Sequence, residues 1–212
     1  MADRGLSALT SDGDGFTYND VLTVAVLETL HWWNLVHDEG ERKVGVWLPV
    51  NIRREHFLGF GNASSRIRVR RTYADGLALA DKCRAVRSQI NVARERGEWV
   101  VPEQTFPTRA LFRYGSRIAR RYLNRPWADM GSASFSHVQR WPGQTDPVFA
   151  DVRKVAVVGA MHRRHALMLA ALTFHGQTRM TITYDPALLW RQDLAAIAYR
   201  YVRTVDAVVL GS

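Results

Sequence analysis

The sequence predicts an α/β fold, a layered sandwich in which a mixed sheet is flanked by helices. Three observations predict it. The order of periodic segments is helix, strands, two helices, strands, helix. The first helical segment is apolar almost all round, as a helix buried between layers is. The last two strand-like runs, "HALMLAALTF" and "QTRMTITYD", are joined by "HGQ" and read as a hairpin.

Each element follows from local pattern. Thr17 or Asn19 can cap a helix from about 18 to 37, ended by "HDEG". Val21, Leu22, Val24, Val26, Leu27, Leu30, Trp33 and Leu35 cover nearly every side of it. "KVGVWLPVNI" is a nearly continuous apolar run, which predicts a strand covered on both faces, with its end or a bulge near Pro49. "SSRIRVRRTY" alternates, so Arg66, Arg68 and Arg70 share one face and Ile67 and Val69 the other. Leu79, Cys83, Val86, Ile90 and Ala93 give a second helix helical spacing over about 75–97. Cys83 then reads as a small core residue. A linker "EWVVPEQTFP" leads to a third helix, from Pro107 to about Leu123. Strand-like segments "SASFSHV" and "VRKVAVVGA" precede the hairpin, and a final helix follows Pro186 to about Val208. Residues 1–15 are polar and glycine-rich and read as a mobile lead-in, with a single domain over 16–212.

Composition bounds the function. The chain has 212 residues and a formal charge of +9, and only three of its 29 basic residues are lysines. Arginine offers a planar fork for phosphate and carboxylate, although a skew of this kind also follows from genomic base composition. One cysteine excludes an internal disulfide or a thiolate cluster and fits a reducing cytoplasm. No apolar run is long enough to span a bilayer, and the N-terminus has no signal-peptide core.

Several motifs are absent: there is no P-loop, GxGxxG, HExxH or GxSxG. "HRRH" at 162–165 precedes a strand with no carboxylate nearby, so it does not read as a metal site. His31, His37 and His56 are scattered. Ser136 and His137 are neighbours on a strand and point to opposite faces, so they cannot act on each other as nucleophile and base. "TRALFRYGSRIARRYLNR" places Arg109, Arg113, Arg117, Arg120 and Arg121 along one side of a helix without an acid. That side is either a solvated surface or a docking surface for anions or an acidic helix. The arginines lack the interleaved aromatics of a single-strand nucleic-acid platform, and no helix-turn-helix is evident.

Taken in order, "TYNDVLTVAVLETLHWW", "VGVWLPVNIRRE" with "GFGN", "SASFSHV" and "LMLAALTFHGQTRMTITYD" resemble the C-terminal half of the chloramphenicol acetyltransferase-like superfamily. That group includes the condensation domains of nonribosomal peptide synthetases and CoA-dependent acyltransferases such as wax ester synthases. The resemblance spans about residues 16–208. It implies two similar lobes with a tunnel between them, and a catalytic HHxxxDG motif at the end of the first lobe. This sequence has no HHxxxDG.

The resemblance therefore implies one wall of a tunnel for acyl transfer to a hydroxyl or amine. The HHxxxDG lobe would be supplied by another chain, or be absent. Arg53 matches the arginine that pairs with the aspartate of HHxxxDG. Ser136 matches the serine of a Ser-Asn pair near the reacting carbonyl, where it can face an oxyanion; His137 replaces the Asn. Asn19, Asp20 and Asn62 match motif positions with a structural or interlobe role. All of these residues could equally serve only to hold the lobe together.

The implied partners are a first-lobe polypeptide, or a second copy through the same face, and an acyl carrier protein. The implied co-substrate is a phosphopantetheine thioester, on the carrier protein or CoA, with no tightly bound cofactor. Carrier proteins present acidic helices, which suits the arginine helix. The alternative is a non-catalytic interaction protein that docks a carrier protein or a partner enzyme.

Overall fold

A computed structural model describes residues 15–37, 43–51, 64–98, 133–138, 147–159 and 165–210. In chain order these form α1 (Tyr18–Val36), β1 (Gly45–Asn51), β2 (Ser64–Arg70), α2 (Leu79–Glu95), β3 (Ala133–Val138), a 3-10 turn (Pro147–Phe149), β4 (Leu167–Phe174), β5 (Gln177–Tyr184) and α3 (Arg191–Leu210). The lead-in before Gly15 and the expected third helix at 107–123 lie outside the described residues.

The five strands make one mixed sheet in the order β2-β1-β3-β4-β5. The outer pairs β1–β2 and β4–β5 are antiparallel; β1–β3 and β3–β4 are parallel. The described helices cover one face. α1 lies over β1 and β3, α2 lies over β2, and both α2 and α3 pack against α1. The core is built from alternate strand residues (Val46, Leu48, Ile67, Val69, Ala133, Phe135, Leu167, Leu169 and Ala171) facing Val21 to Leu30 of α1, Cys83, Val86 and Ile90 of α2, and Ile197 and Tyr201 of α3. Burial also pushes the Cys83 thiol up to about 12, so it packs as an unreactive apolar group.

α1 starts where the sequence places a cap. Thr17 is extended, and Asp20 reaches back to accept from its backbone N at 2.7 Å. The helix is buried from Asp20 to Leu27. Each fully buried Val or Leu there contributes about 2 kcal/mol. Its two buried threonines are satisfied within the helix: Thr23 and Thr29 donate to the carbonyls of Asn19 and Ala25, both at 2.7 Å.

α1 also carries two acids in the helix layer. Asp20, fully buried, accepts from Arg87 Nε of α2 at 2.8 Å. Glu28 accepts from Lys82 Nζ of α2 and from Arg71 Nε just after β2, each at 2.8 Å. Burial pushes the Glu28 carboxyl up, but these two cations more than offset that and hold it below its ordinary range. Arg71 also pairs with Asp75 and lies over the Tyr73 ring. At the sheet edge, Gln89 of α2 accepts from the Arg70 N–H and donates to the Arg70 carbonyl, fixing α2 to the outer strand β2.

The final hairpin turns on two residues, His175 and Gly176, both with positive φ (46° and 71°), as a two-residue turn between right-twisted strands requires.

Three expectations need correction. β1 is not covered on both faces: Val46 and Leu48 are buried, whereas Trp47 is half-buried and Pro49 exposed. The run looked continuous because its outer positions are also apolar; Trp47 is sheltered instead by the guanidinium of Arg66, 5.1 Å from its ring. Pro49 lies beyond the short pairing of β1 with β3 at Val46 and Trp47, so its missing N–H breaks no contact there. The strand buried on both faces is β4.

Second, residues 152–159 form no strand. They lie against the sheet face away from the helices, where Thr183 Oγ1 donates to the Gly159 carbonyl at 3.5 Å and Thr181 to that of Val157. A Cβ on Gly159 would fall 2.8 Å from Met168 Cγ, so any larger residue would require the Met168 side chain to shift. A valine-rich extended segment reads alike whether it joins a sheet or rests on one. Third, α2 begins at Leu79 rather than near 75, because residues 75–77 are turn and bend.

The Glu28 cluster yields a stability prediction. Glu28→Ala leaves Lys82 without its carboxylate acceptor and Arg71 with Asp75 alone, and should cost about 3 kcal/mol in urea unfolding at neutral pH. Because the folded pKa is depressed, the carboxylate's contribution is complete above the ordinary carboxylate range and lost as pH falls through the folded value. Glu28→Gln should therefore show a smaller loss of stability on acidification than the parent.

Candidate functional site

The candidate site centres on β3, the middle strand. Its register places Ser134 beside Trp47 and Met168, Ser136 beside Ala170, and His137 beside Ala171. Alternation sends Ala133, Phe135 and His137 toward the helices and Ser134 and Ser136 toward the other face. Ser136 and His137 thus diverge, as their adjacency requires, and cannot form a nucleophile–base pair.

His137 is held near the C-terminal end of β3. The ring of Tyr18, at the start of α1, meets it edge-on with centroids 5.4 Å apart. Its Nε2 lies 3.2 Å from Thr173 Oγ1 of β4, which in turn lies 2.8 Å from Thr178 Oγ1 of β5. Burial lowers its pKa to about 4. The imidazole is therefore neutral at physiological pH, with one donor and one acceptor nitrogen, and it is a poor proton acceptor there. It can orient a hydroxyl or a water at the strand end. Ser136 is half-buried, and its hydroxyl has no hydrogen-bond partner among the described residues.

A serine–histidine contact does exist, between residues the sequence does not bring together. Ser134 Oγ lies 2.6 Å from Nδ1 of His165, which is buried immediately before β4. Parallel pairing of β3 with β4 brings the two together. The only sequence signal is that His165 immediately precedes the apolar run that forms β4.

The other site positions divide. Asn19 uses its carbonyl within α1, and Asp20 joins α1 to α2 through Arg87. Arg53, Asn62, Arg109, Arg113, Arg117, Arg120 and Arg121 lie outside the described residues, as do His56 and His162. His31 sits 3.2 Å from Asp75, and His37 stacks on Trp33. Among the described residues no three His, Cys, Asp or Glu side chains converge as a metal site would need, and no helix is long and apolar enough to cross a membrane.

No known family model matches the sequence, and no curated protein matches it. Solved structures do. The structure is similar to that described under the molecular basis for condensation domain-mediated chain release from the enacyloxin polyketide synthase, with TM-score 0.61, 12% identity, and 98% of this chain and 38% of that chain covered. The epimerization domain from the third module of tyrocidine synthetase B is similar at TM-score 0.58 and 13% identity, covering 99% and 45%. The first condensation domain of the CDA synthetase is similar at TM-score 0.58 and 16% identity, covering 98% and 42%. The fold is that of one chloramphenicol acetyltransferase-like lobe.

The chain spans less than half the length of the condensation and epimerization domain structures it matches. Its mixed sheet and one-sided helix layer agree with the α/β sandwich that the sequence predicts. Within the lobe, β3 is the strand on which the resemblance places Ser136 and His137.

The burial of His137 is testable by NMR. Its ring signals should stay in the neutral position from pH 7 down to about 5, whereas an ordinary histidine titrates near 6.5. Since its folded pKa lies below the unfolded one, the protein should lose stability as pH falls from the unfolded value toward about 4. His137→Phe should remove that part of the acid sensitivity.

Proposed function

We propose that this chain is the second lobe of a condensation- or acyltransferase-type enzyme. It forms one wall of the tunnel in which an acyl group passes from a carrier-protein or CoA thioester to a hydroxyl or amine. A separate HHxxxDG lobe supplies the base. The observation that supports this reading is the fold match over 98–99% of this chain to less than half of two condensation-domain structures and one epimerization domain, in a sequence without HHxxxDG.

The chemistry of β3 supports a wall rather than a catalytic centre. Acyl transfer needs a base near the operating pH and a donor for the oxyanion. His137, at about 4, is too weak a base, but Ser136 retains a hydroxyl that can donate. In this reading Ser136 faces the reacting carbonyl, Arg53 pairs with the aspartate of the other lobe, and the arginines of 109–121 receive the carrier protein's acidic surface. The phosphopantetheine arm then enters as part of the substrate.

A second reading, a non-catalytic protein that docks a carrier protein or a partner enzyme, draws support from the same low basicity of His137. Activity separates the two. The purified chain should show no transfer from an acyl thioester to an amine or alcohol. Addition of an HHxxxDG lobe should restore transfer, and Arg53→Ala should abolish it while the complex still forms. Transfer by the chain alone that survives replacement of every histidine would overturn the enzyme-lobe reading. A complex that binds a carrier protein but never turns over would favour the docking reading.

A further inference from the structure

The helix layer contains a cleft of about 310 Å³, at the small end for ligand sites, lined by Glu28 of α1, Leu79 and Lys82 of α2, and Arg200, Arg203, Thr204 and Ala207 of α3. It lies on the helix side of the molecule and excludes Ser134, Ser136 and His137 from its lining.

We propose that this cleft binds a phosphoryl group. The charge balance is the first reason. Its only acid among the described residues, Glu28, is already engaged at both oxygens, by Arg71 and by Lys82. Arg200 and Arg203 are therefore surplus positive charge, one turn apart on α3. Arg203 has no partner of any kind among the described residues, and Arg200 has no acid partner there.

Geometry is the second reason. The Arg200 guanidinium lies over the Trp32 ring, 5.8 Å from its centroid, a contact that uses none of its N–H donors on an acid. Lys82, also in the lining, is buried; its ammonium donates to Glu28 and lies 5.6 Å from the Tyr73 ring centroid. Thr204 spends its hydroxyl proton on the Arg200 carbonyl at 3.0 Å, so the free donors facing the cleft are cationic. A lysine and two arginines lining one small cleft suit a compact anion with several oxygens better than a single carboxylate. The proposal does not depend on acyl transfer.

Isothermal titration of the intact chain at constant ionic strength tests it, with inorganic phosphate, glycerol 3-phosphate and acetate as probes. Phosphate should bind at one saturable site, and acetate should bind at least about tenfold more weakly. Arg200→Ala combined with Arg203→Ala should weaken phosphate by at least about tenfold. Arg203→Gln alone, at an exposed side chain, should weaken it with the melting temperature in phosphate-free buffer unchanged. Arg153→Ala, outside the cleft, should leave binding intact. Tighter binding of glycerol 3-phosphate than of inorganic phosphate would assign the site to a phosphate ester, and the reverse order to free phosphate. Equal affinity for acetate and phosphate, no saturable binding, or full binding by the double variant would overturn the proposal.

Discussion

Two carboxylates set into a largely apolar helix govern how the layers of this protein meet. α1 is buried on nearly every side, so an unpaired charge on it would be strongly destabilising. Asp20 and Glu28 are tolerated because each finds its cation on another element: Arg87 on α2 for the first, Lys82 on α2 and Arg71 beyond β2 for the second. Apolar contact alone permits a helix to slide or rotate in its groove. These ion pairs fix where α1 stands along α2 and where the end of β2 stands beneath both. The sheet then inherits its position from α1 and α2, and Gln89 completes the arrangement at the outer strand.

That arrangement decides what β3 can offer. With all described helices on one face, His137 is enclosed between Tyr18 and Thr173, while Ser134 and Ser136 belong to the opposite face. Enclosure makes His137 neutral and weakly basic, which does not suit a general base at neutral pH. The fold is similar to less than half of several condensation and epimerization domains.

Much of the fold was legible because single elements carried strong local signals. The Thr17–Asp20 start of α1, the arginine alternation of β2 and the Cys83–Val86–Ile90 stripe of α2 are each settled by neighbours three or four residues away, or by period two. The misreadings arose where the deciding contact is remote. Trp47 and Pro49 made β1 look buried on both faces, and only the arginines of β2 show why Trp47 tolerates its outward position. Residues 152–159 have the composition of a strand, but the hydroxyls of Thr181 and Thr183 hold them against a sheet face. Of the site, the divergence of Ser136 and His137 followed from adjacency. The Ser134–His165 contact and the cationic cleft did not, since each joins segments far apart in the chain.

The central claim is that α1, pinned at Asp20 and Glu28, is the element on which the rest is assembled. Native-state amide hydrogen exchange tests it most directly, because the slowest amides report the last structure to open. The account predicts that the α1 amides from Leu22 to Leu30 exchange only through global unfolding, and that Asp20→Asn or Glu28→Gln speeds exchange in α1, α2 and β2 together. Exchange of the α1 amides at lower free energy than those of the outer hairpin β4–β5, or acceleration confined to the substituted turn, would contradict it.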